Sequence, residues 1–400
     1  MAVEVVEVIE VAAEAIESAT AQSGGLPPLS LYIHVPWCVR KCPYCDFNSH
    51  EQRGPLPEQA YVARLLEDLH AELPLAQGRS LQSIFIGGGT PSLLSPDAYA
   101  GLLEAIAAAI PFVTDIEITL EANPGTAEQA RFSGYRQAGI NRLSIGVQSF
   151  NNAHLQKLGR IHDSGEALRA AAFARAAGFD NFNLDLMFAL SDQSEDEALA
   201  DLEQAIACQP SHLSWYQLTI EPNTGYYSQP PPLPSDDTAA SMQEVGIALL
   251  ATHGYERYEV SAYAKAGRAS RHNLNYWEFG DYIGIGAGAH GKLTHAPGRI
   301  ERRHKTRMPA HYLDRERTPL AGSRFLSEAE LPLEFLMNAL RLDSGFAPAL
   351  FEERSGLSFS AIEPGLQKLQ QRGLLMPGTT WVQPSARGKQ YLNELLLEFM

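Results

Sequence analysis

The sequence predicts an α/β protein: a partial (β/α)6 barrel followed by a helical, winged-helix-like C-terminal domain. Three observations carry this. From residue 30 to about 260, strand-like and helix-like runs alternate six times, the pattern of a parallel sheet with right-handed crossovers. Six units are too few for the full eight-stranded barrel, so the sheet is expected to stay open. After residue 326 the pattern turns helical, with one Gly373–Gln383 stretch suited to a small hairpin.

The expected strands are Ser30–Val35, Ser83–Ile86, Asp115–Leu120, Arg142–Val147, Asn181–Met187 and His212–Ile220. They are rich in β-branched and apolar residues. Helical periodicity covers roughly 57–75, 97–110, 126–138, 164–177, 195–208 and 236–253. A Pro-rich break at Gln229–Pro234 precedes the last of these, and beyond 260 the alternation stops. Residues 301–317 hold six Arg or Lys and two His, read mainly as a solvated basic surface that could otherwise face acidic partners. The domain divisions are 1–27, 28–260, 261–325 and 326–400.

The N-terminal extension places Glu4, Glu7, Glu10, Glu14 and Glu17 at steps of three and four. That spacing puts an acidic stripe on one helical face. Export signals are basic, so the chain is expected in the cytoplasm. No run of about 18 apolar residues suggests a membrane span. The formal charge of −16 argues against nucleic-acid binding, which needs a basic face. Hydrophobic residues make up 45% of the chain, enough for a sizeable core.

Chemistry concentrates in one segment. Three of the four cysteines, Cys38, Cys42 and Cys45, fall within eight residues. In a reducing compartment such a cluster reads as metal or cofactor ligation rather than disulfides. The C-x3-C-x2-C spacing suits three irons of a 4Fe–4S cube, leaving the fourth open. A closed zinc site normally takes four ligands, and no second cysteine pair exists here. Cys208, alone late in a helix, reads as a small buried side chain. Polar and glycine residues gather at the expected C-terminal strand ends, where α/β folds place their sites: Gly87-Gly88-Gly89-Thr90, Glu121, Gln148 and Asp185.

The run YIHVPWCVRKCPYCDFNSH resembles the radical S-adenosylmethionine superfamily, and more narrowly the oxygen-independent coproporphyrinogen III oxidase group. The resemblance begins near Leu29 and reaches the C-terminus. It implies a 4Fe–4S cluster on the three cysteines, with S-adenosylmethionine chelating the open iron. It implies cofactor contacts at Tyr32, Tyr44, Gly88, Gly89, Thr90, Glu121, Gln148, Arg160 and Asp185, and also at Thr219 and His290.

The true oxidases of the group share a fourth cysteine two places beyond the third. Here that place is Phe47. The continuation CDFNSH and the motif His272-Asn273-Leu274-Asn275-Tyr276-Trp277 resemble the group's heme-chaperone branch. This branch implies heme as a cofactor, with His272 a candidate axial ligand. It implies delivery to acceptor hemoproteins, membrane-bound respiratory enzymes among them, and leaves a homodimer open. An oxidase, or another radical enzyme on an unrelated substrate, is the alternative. One departure stands out. The branch shares a loop of the form LMHGLPDQ, whereas this chain has Phe188, Ala189 and Ser191 in place of its His, Gly and Pro. That puts the loop's shape in doubt.

Overall fold

The computed structural model describes residues 25–125 and 129–400. The acidic N-terminal stripe lies outside the described residues, as does the first turn of the expected 126–138 helix.

Six β–α units appear in order. The strands are β1 (Leu29–Val35), β2 (Leu81–Gly88), β3 (Phe112–Ala122), β4 (Arg142–Gln148), β5 (Phe182–Phe188) and β6 (His212–Gln217). The helices are α1 (Glu58–Glu72), α2 (Pro96–Ala109), α3 (Phe132–Gln137), α4 (Ser164–Ala176), α5 (Glu195–Ala207) and α6 (Asp236–Thr252). Local chemistry sets their starts. Asp163 with Glu166, and Ser194 with Glu197, form reciprocal capping boxes at α4 and α5, each satisfying two otherwise orphaned N–H donors. The six strands pair in parallel in sequence order. Leu31, Ile33, Ile84, Ile86, Leu120, Ile145 and Leu184 are fully buried in the main core.

The alternation does not stop at 260. After β7 (Glu256–Glu259) and β8 (Ala262–Ala264), helix α7 (Arg271–Trp277) leads into β9 (Asp281–Ile285), which pairs parallel with β1. A seventh parallel strand therefore flanks the first. Its short sequence DYIGI, followed by GAGAHG, carried a turn signal strong enough to mask it. β10 (His290–Ala296), β11 (Arg299–Lys305) and β12 (Leu320–Phe325) extend that edge antiparallel. The twelve-stranded order is β12-β11-β10-β9-β1-β2-β3-β4-β5-β6-β8-β7. Among the described residues no pairing joins its two ends, so the barrel is open.

The basic 301–317 stretch is solvated only in part: His304, Arg307, His311, Arg315 and Arg317 are exposed, but Arg302, Arg303 and Lys305 turn inward. Lys305 is buried between Asp68 and Glu72, Arg303 pairs with Glu72 and Glu301, and Arg302 with Glu334. Strand pairing turns these side chains inward, which composition alone could not show.

A second core forms around Leu331, Phe335, Phe351, Ile362 and Leu369. It holds α8 (Leu331–Ala339), α9 (Pro348–Ser355) and α10 (Glu363–Gln371). The expected hairpin closes through one bridge, Leu375 with Pro384, and Val382 bridges to Phe346 outside it.

Candidate cofactor site

β1 ends at Val35, and Pro36 turns the chain into the cysteine loop. That loop is pinned from two sides. Gly89 and Thr90 donate their N–H groups to Val35 and Trp37, both at 2.7 Å, while His50 and Gln52 donate to Pro36 and Cys38 at 2.7 and 2.8 Å. The end of β2 must therefore pass very close to the loop. Gly88 sits at φ 120°, and a Cβ there would stand 2.8 Å from the His34 ring; one at Gly89 would stand 2.5 Å from the Trp37 carbonyl. Only glycine fits either position without displacement.

Behind this contact lies a cavity of about 370 Å³. Cys38, Cys42, Tyr44 and Cys45 form one wall, and Gly88, Gly89 and Thr90 another. Glu121, Gln148, Arg160 and Asp185 complete it from the ends of the following strands and loops. Eleven of the residues singled out in the sequence thus converge on one space. All four cysteines are free thiols. Burial pushes the Cys38 and Cys45 thiols up. Among the described residues no three His, Cys, Asp or Glu side chains stand close enough to hold a single metal ion. The three thiols border the same cavity; a 4Fe–4S cube takes one thiolate per iron.

The polar residues are held rather than loose. Arg160 donates to Asn123 Oδ1 at 2.6 Å and to the Gly146 carbonyl at 2.7 Å, and lies 3.7 Å from Cys42 Sγ. Asn123 also donates to Thr90 Oγ1 at 3.1 Å. Tyr216 donates to Gln148 Oε1 at 2.8 Å, and Gln148 takes the left-handed φ of 70°. Such backbone strain in a non-glycine residue gathers at functional sites. Glu121 accepts the Gly88 N–H at 3.1 Å. Burial and the neighbouring Asp185 push its carboxyl up to about 8. Asp185, raised by burial, accepts from Asn183 and Ser144 at 2.7 and 3.0 Å. The site therefore holds two desolvated carboxyls, and that of Glu121 stays mostly protonated at pH 7 unless a cationic ligand favours its charged form.

Four singled-out residues lie off the cavity. Tyr32 points into the barrel beside it and bonds His34 Nδ1 at 2.8 Å. Thr219 falls beyond the end of β6, exposed, with its hydroxyl on Glu221 at 2.9 Å. His290 is exposed and stacked on His304. His272 is 4% exposed. It stacks on Phe85 at 4.2 Å and bonds Glu117 at 3.1 Å. His272 itself is not in the cavity wall, but Asn273 and Trp277 of the same motif are.

Sequence reasoning missed several wall residues, among them Asn123, Tyr216 and Arg341. Asn123 bridges Thr90 and Arg160, and its place two residues beyond Glu121 was the available signal. Tyr216 near the end of β6 offered a weaker one. Arg341, from the C-terminal domain, lines the far wall, stacks over Trp277 at 4.3 Å and bonds Glu259 at 3.0 Å; nothing in its local sequence marked it.

An open parallel sheet with a three-cysteine loop beyond its first strand defines a radical S-adenosylmethionine protein. Residues 32–205 match the Radical SAM superfamily, and residues 326–391 the HemN C-terminal domain. The chain is 52% identical over 375 residues to the heme chaperone HemW of Escherichia coli K12, covering 94% of this chain and 99% of that one. It is 52% identical over 380 residues to the heme chaperone HemW of Haemophilus influenzae, covering 94% and 98%. The fold is similar to the solved coproporphyrinogen III oxidase HemN from Escherichia coli, with TM-score 0.79 at 22% identity over 96% and 93% of the two chains. The chain belongs to the HemW family. Among the described residues no helix is long and apolar enough to cross a membrane.

Proposed function

We propose that this protein is a cytoplasmic heme chaperone that binds heme and passes it to acceptor hemoproteins, and that it carries a 4Fe–4S cluster with S-adenosylmethionine beside it. The relatives named as heme chaperones support the first half. The observation that carries the second is the convergence of Cys38, Cys42 and Cys45 on one cavity with Glu121, Arg160 and Asp185. A cluster held by three thiolates offers an open iron to an amine and carboxylate, and one electron for cleavage of a sulfonium bond. The protein's own work is placement. The Gly88–Gly89 backbone admits a ligand closely, and Arg160 sets a fixed cation beside Cys42. Glu121 and Asp185 are positioned for amine or ribose groups. Phe47 supports the carrier reading over the oxidase: it stands 60% exposed at the cavity rim, where an oxidase of the group has a thiol.

Anaerobic reconstitution should yield about four iron per chain with broad 4Fe–4S absorption, and each of Cys38→Ala, Cys42→Ala and Cys45→Ala should lose it. Colourless, zinc-loaded protein would sink the cluster. Conversion of coproporphyrinogen III to protoporphyrinogen under reducing conditions would overturn the chaperone reading. Membrane-bound respiratory enzymes are the acceptors to test first, and sedimentation with and without cluster tests a homodimer.

A further inference from the structure

Beneath the cavity, three strands place polar side chains in one row. Ser144 on β4 pairs with Asn183 on β5, and Asn183 with His212 on β6. Strand alternation puts Asp185, two residues beyond Asn183, on the same face, where it lines the cavity. Asn183 and His212 are each 1% exposed and lie behind that lining. A polar pair so deeply buried must have its donors and acceptors met.

The bonds run in one direction. Asn183 donates both amide hydrogens, to Asp185 Oδ1 at 2.7 Å and to Ser144 Oγ at 2.8 Å. Ser144 in turn donates to Asp185 Oδ2 at 3.0 Å. Asn183 Oδ1 faces His212 Nδ1 at 2.7 Å and accepts from Ser214 Oγ at 3.2 Å. Four bonds saturate the amide. A carbonyl oxygen only accepts, so His212 carries its proton on Nδ1. Burial, then the Arg142 charge, holds this imidazole well below its usual range, so the ring is neutral. Its Nε2 accepts the Tyr258 hydroxyl at 2.9 Å. The Tyr258 oxygen accepts the Asn273 amide at 3.1 Å and the Ser270 N–H at 3.4 Å. Asn273, like Asp185, lines the cavity. An oriented chain thus joins two wall residues through Tyr258, His212 and Asn183.

We infer that His212 is a positioning residue for Asp185, acting through Asn183, and that it ties the Asp185 carboxyl to Asn273. Ser144 and Ser214 can each donate or accept, so neither fixes which way the Asn183 amide points. The Nδ1–H of His212 does. Reversed, Asn183 would set its carbonyl oxygen against the Asp185 oxygens. The inference rests on the cofactor reading, with Asp185 on the ribose hydroxyls of S-adenosylmethionine, and adds a residue that never touches the ligand.

Full-length protein with its cluster reconstituted, titrated with S-adenosylmethionine and with an analogue lacking both ribose hydroxyls, tests this. Wild type should prefer the natural ligand, and Asp185→Ala should lose that preference. His212→Leu should reduce the preference about fivefold, the effect of one misplaced hydrogen bond, with iron content and analogue affinity unchanged. His212→Asn, whose amide can set an N–H where Nδ1–H stands, should keep it. In wild type, nitrogen NMR of isotope-labelled histidine should show His212 as the neutral Nδ1–H tautomer, assigned by its loss in His212→Asn. This second measurement decides the matter if His212→Leu does not fold: an Nε2–H tautomer or an imidazolium would overturn the inference by itself. If Asp185→Ala loses the preference and folded His212→Leu keeps it, the positioning role is wrong while the cofactor reading stands. If wild type binds no S-adenosylmethionine, both fall.

Discussion

At the scale of single residues, His272 shows how burial decides a role that a motif leaves open. Its ring is packed on Phe85, and its Nδ1–H is directed at Glu117 Oε1. Glu117 also accepts the N–H groups of Arg271 and His272, anchoring the first turn of α7. Burial would push this carboxyl up, but the His272 hydrogen bond and the Arg142 charge hold it at about 2. Burial lowers the His272 pKa as well. Both shifts have the same sign for stability: the folded state resists each proton. The His272 contribution is therefore lost as pH falls below about 6.5, and that of Glu117 as it falls from about 4.5 toward 2. His272→Ala leaves a buried carboxylate short of a donor and should cost about 1–3 kcal/mol at pH 7. Thermal melts at pH 7 and pH 4 should show its deficit shrinking in acid, with the hemin Soret band retained. A Soret shift with an unchanged melting temperature would instead return His272 to the iron. Cys38, Cys42 and Cys45 were legible because their chemistry is contiguous in sequence. For His272 the linear motif could not show that the ring would be buried on Phe85 and Glu117 while Asn273 and Trp277 beside it line the cavity.

Elements carry the site by where they end, and strand ends were the best-read feature of the sequence. Gly88, Glu121, Gln148 and Asp185 all reach the cavity because each closes a run of alternating or buried apolar residues. The β5–α5 loop is the exception. Phe188 is buried against Trp215 with ring centroids 4.4 Å apart, so an apolar side chain fills the core where a histidine was expected by resemblance. Ala189 follows at φ 54° and Asp192 at φ 57°. The loop thus keeps a left-handed turn without its glycine. Holding an L-residue there costs about 1–2 kcal/mol. Glycine gives back roughly 0.5–1 kcal/mol through its freer unfolded chain. Ala189→Gly should therefore stabilise by less than about 1 kcal/mol, seen as a small rise in urea midpoint at constant slope. A lower midpoint would mean that the Ala189 methyl packs usefully in the core.

The whole molecule depends on how its late strands grip the barrel, the part composition concealed most. The sheet runs unbroken from β1 to β12 across the division read at 260, because β9 pairs with β1. Two buried polar knots lock it. Asp281 takes Arg79 and Lys292 at 2.7 and 3.0 Å. Lys305 on β11 reaches back to α1, 2.5 Å from Asp68 and 2.6 Å from Glu72, while Tyr312 donates to Asp68 at 2.7 Å. Periodicity could not reveal this, since a lysine in a basic run looks solvated until the register turns it inward. A buried cation shared by two carboxylates is more important to keep intact than to possess: removing one member strands the others. Burial raises Asp68 despite Lys305 beside it, so that carboxylate is already poorly tolerated. Lys305→Met should cost about 3–5 kcal/mol, with amide exchange rising first in β10–β12. Adding Asp68→Asn removes one stranded charge and should recover part of the loss. If Lys305→Met alone leaves exchange in β10–β12 unchanged, the strands are held by backbone pairing and apolar contact, and the knot contributes nothing to the grip.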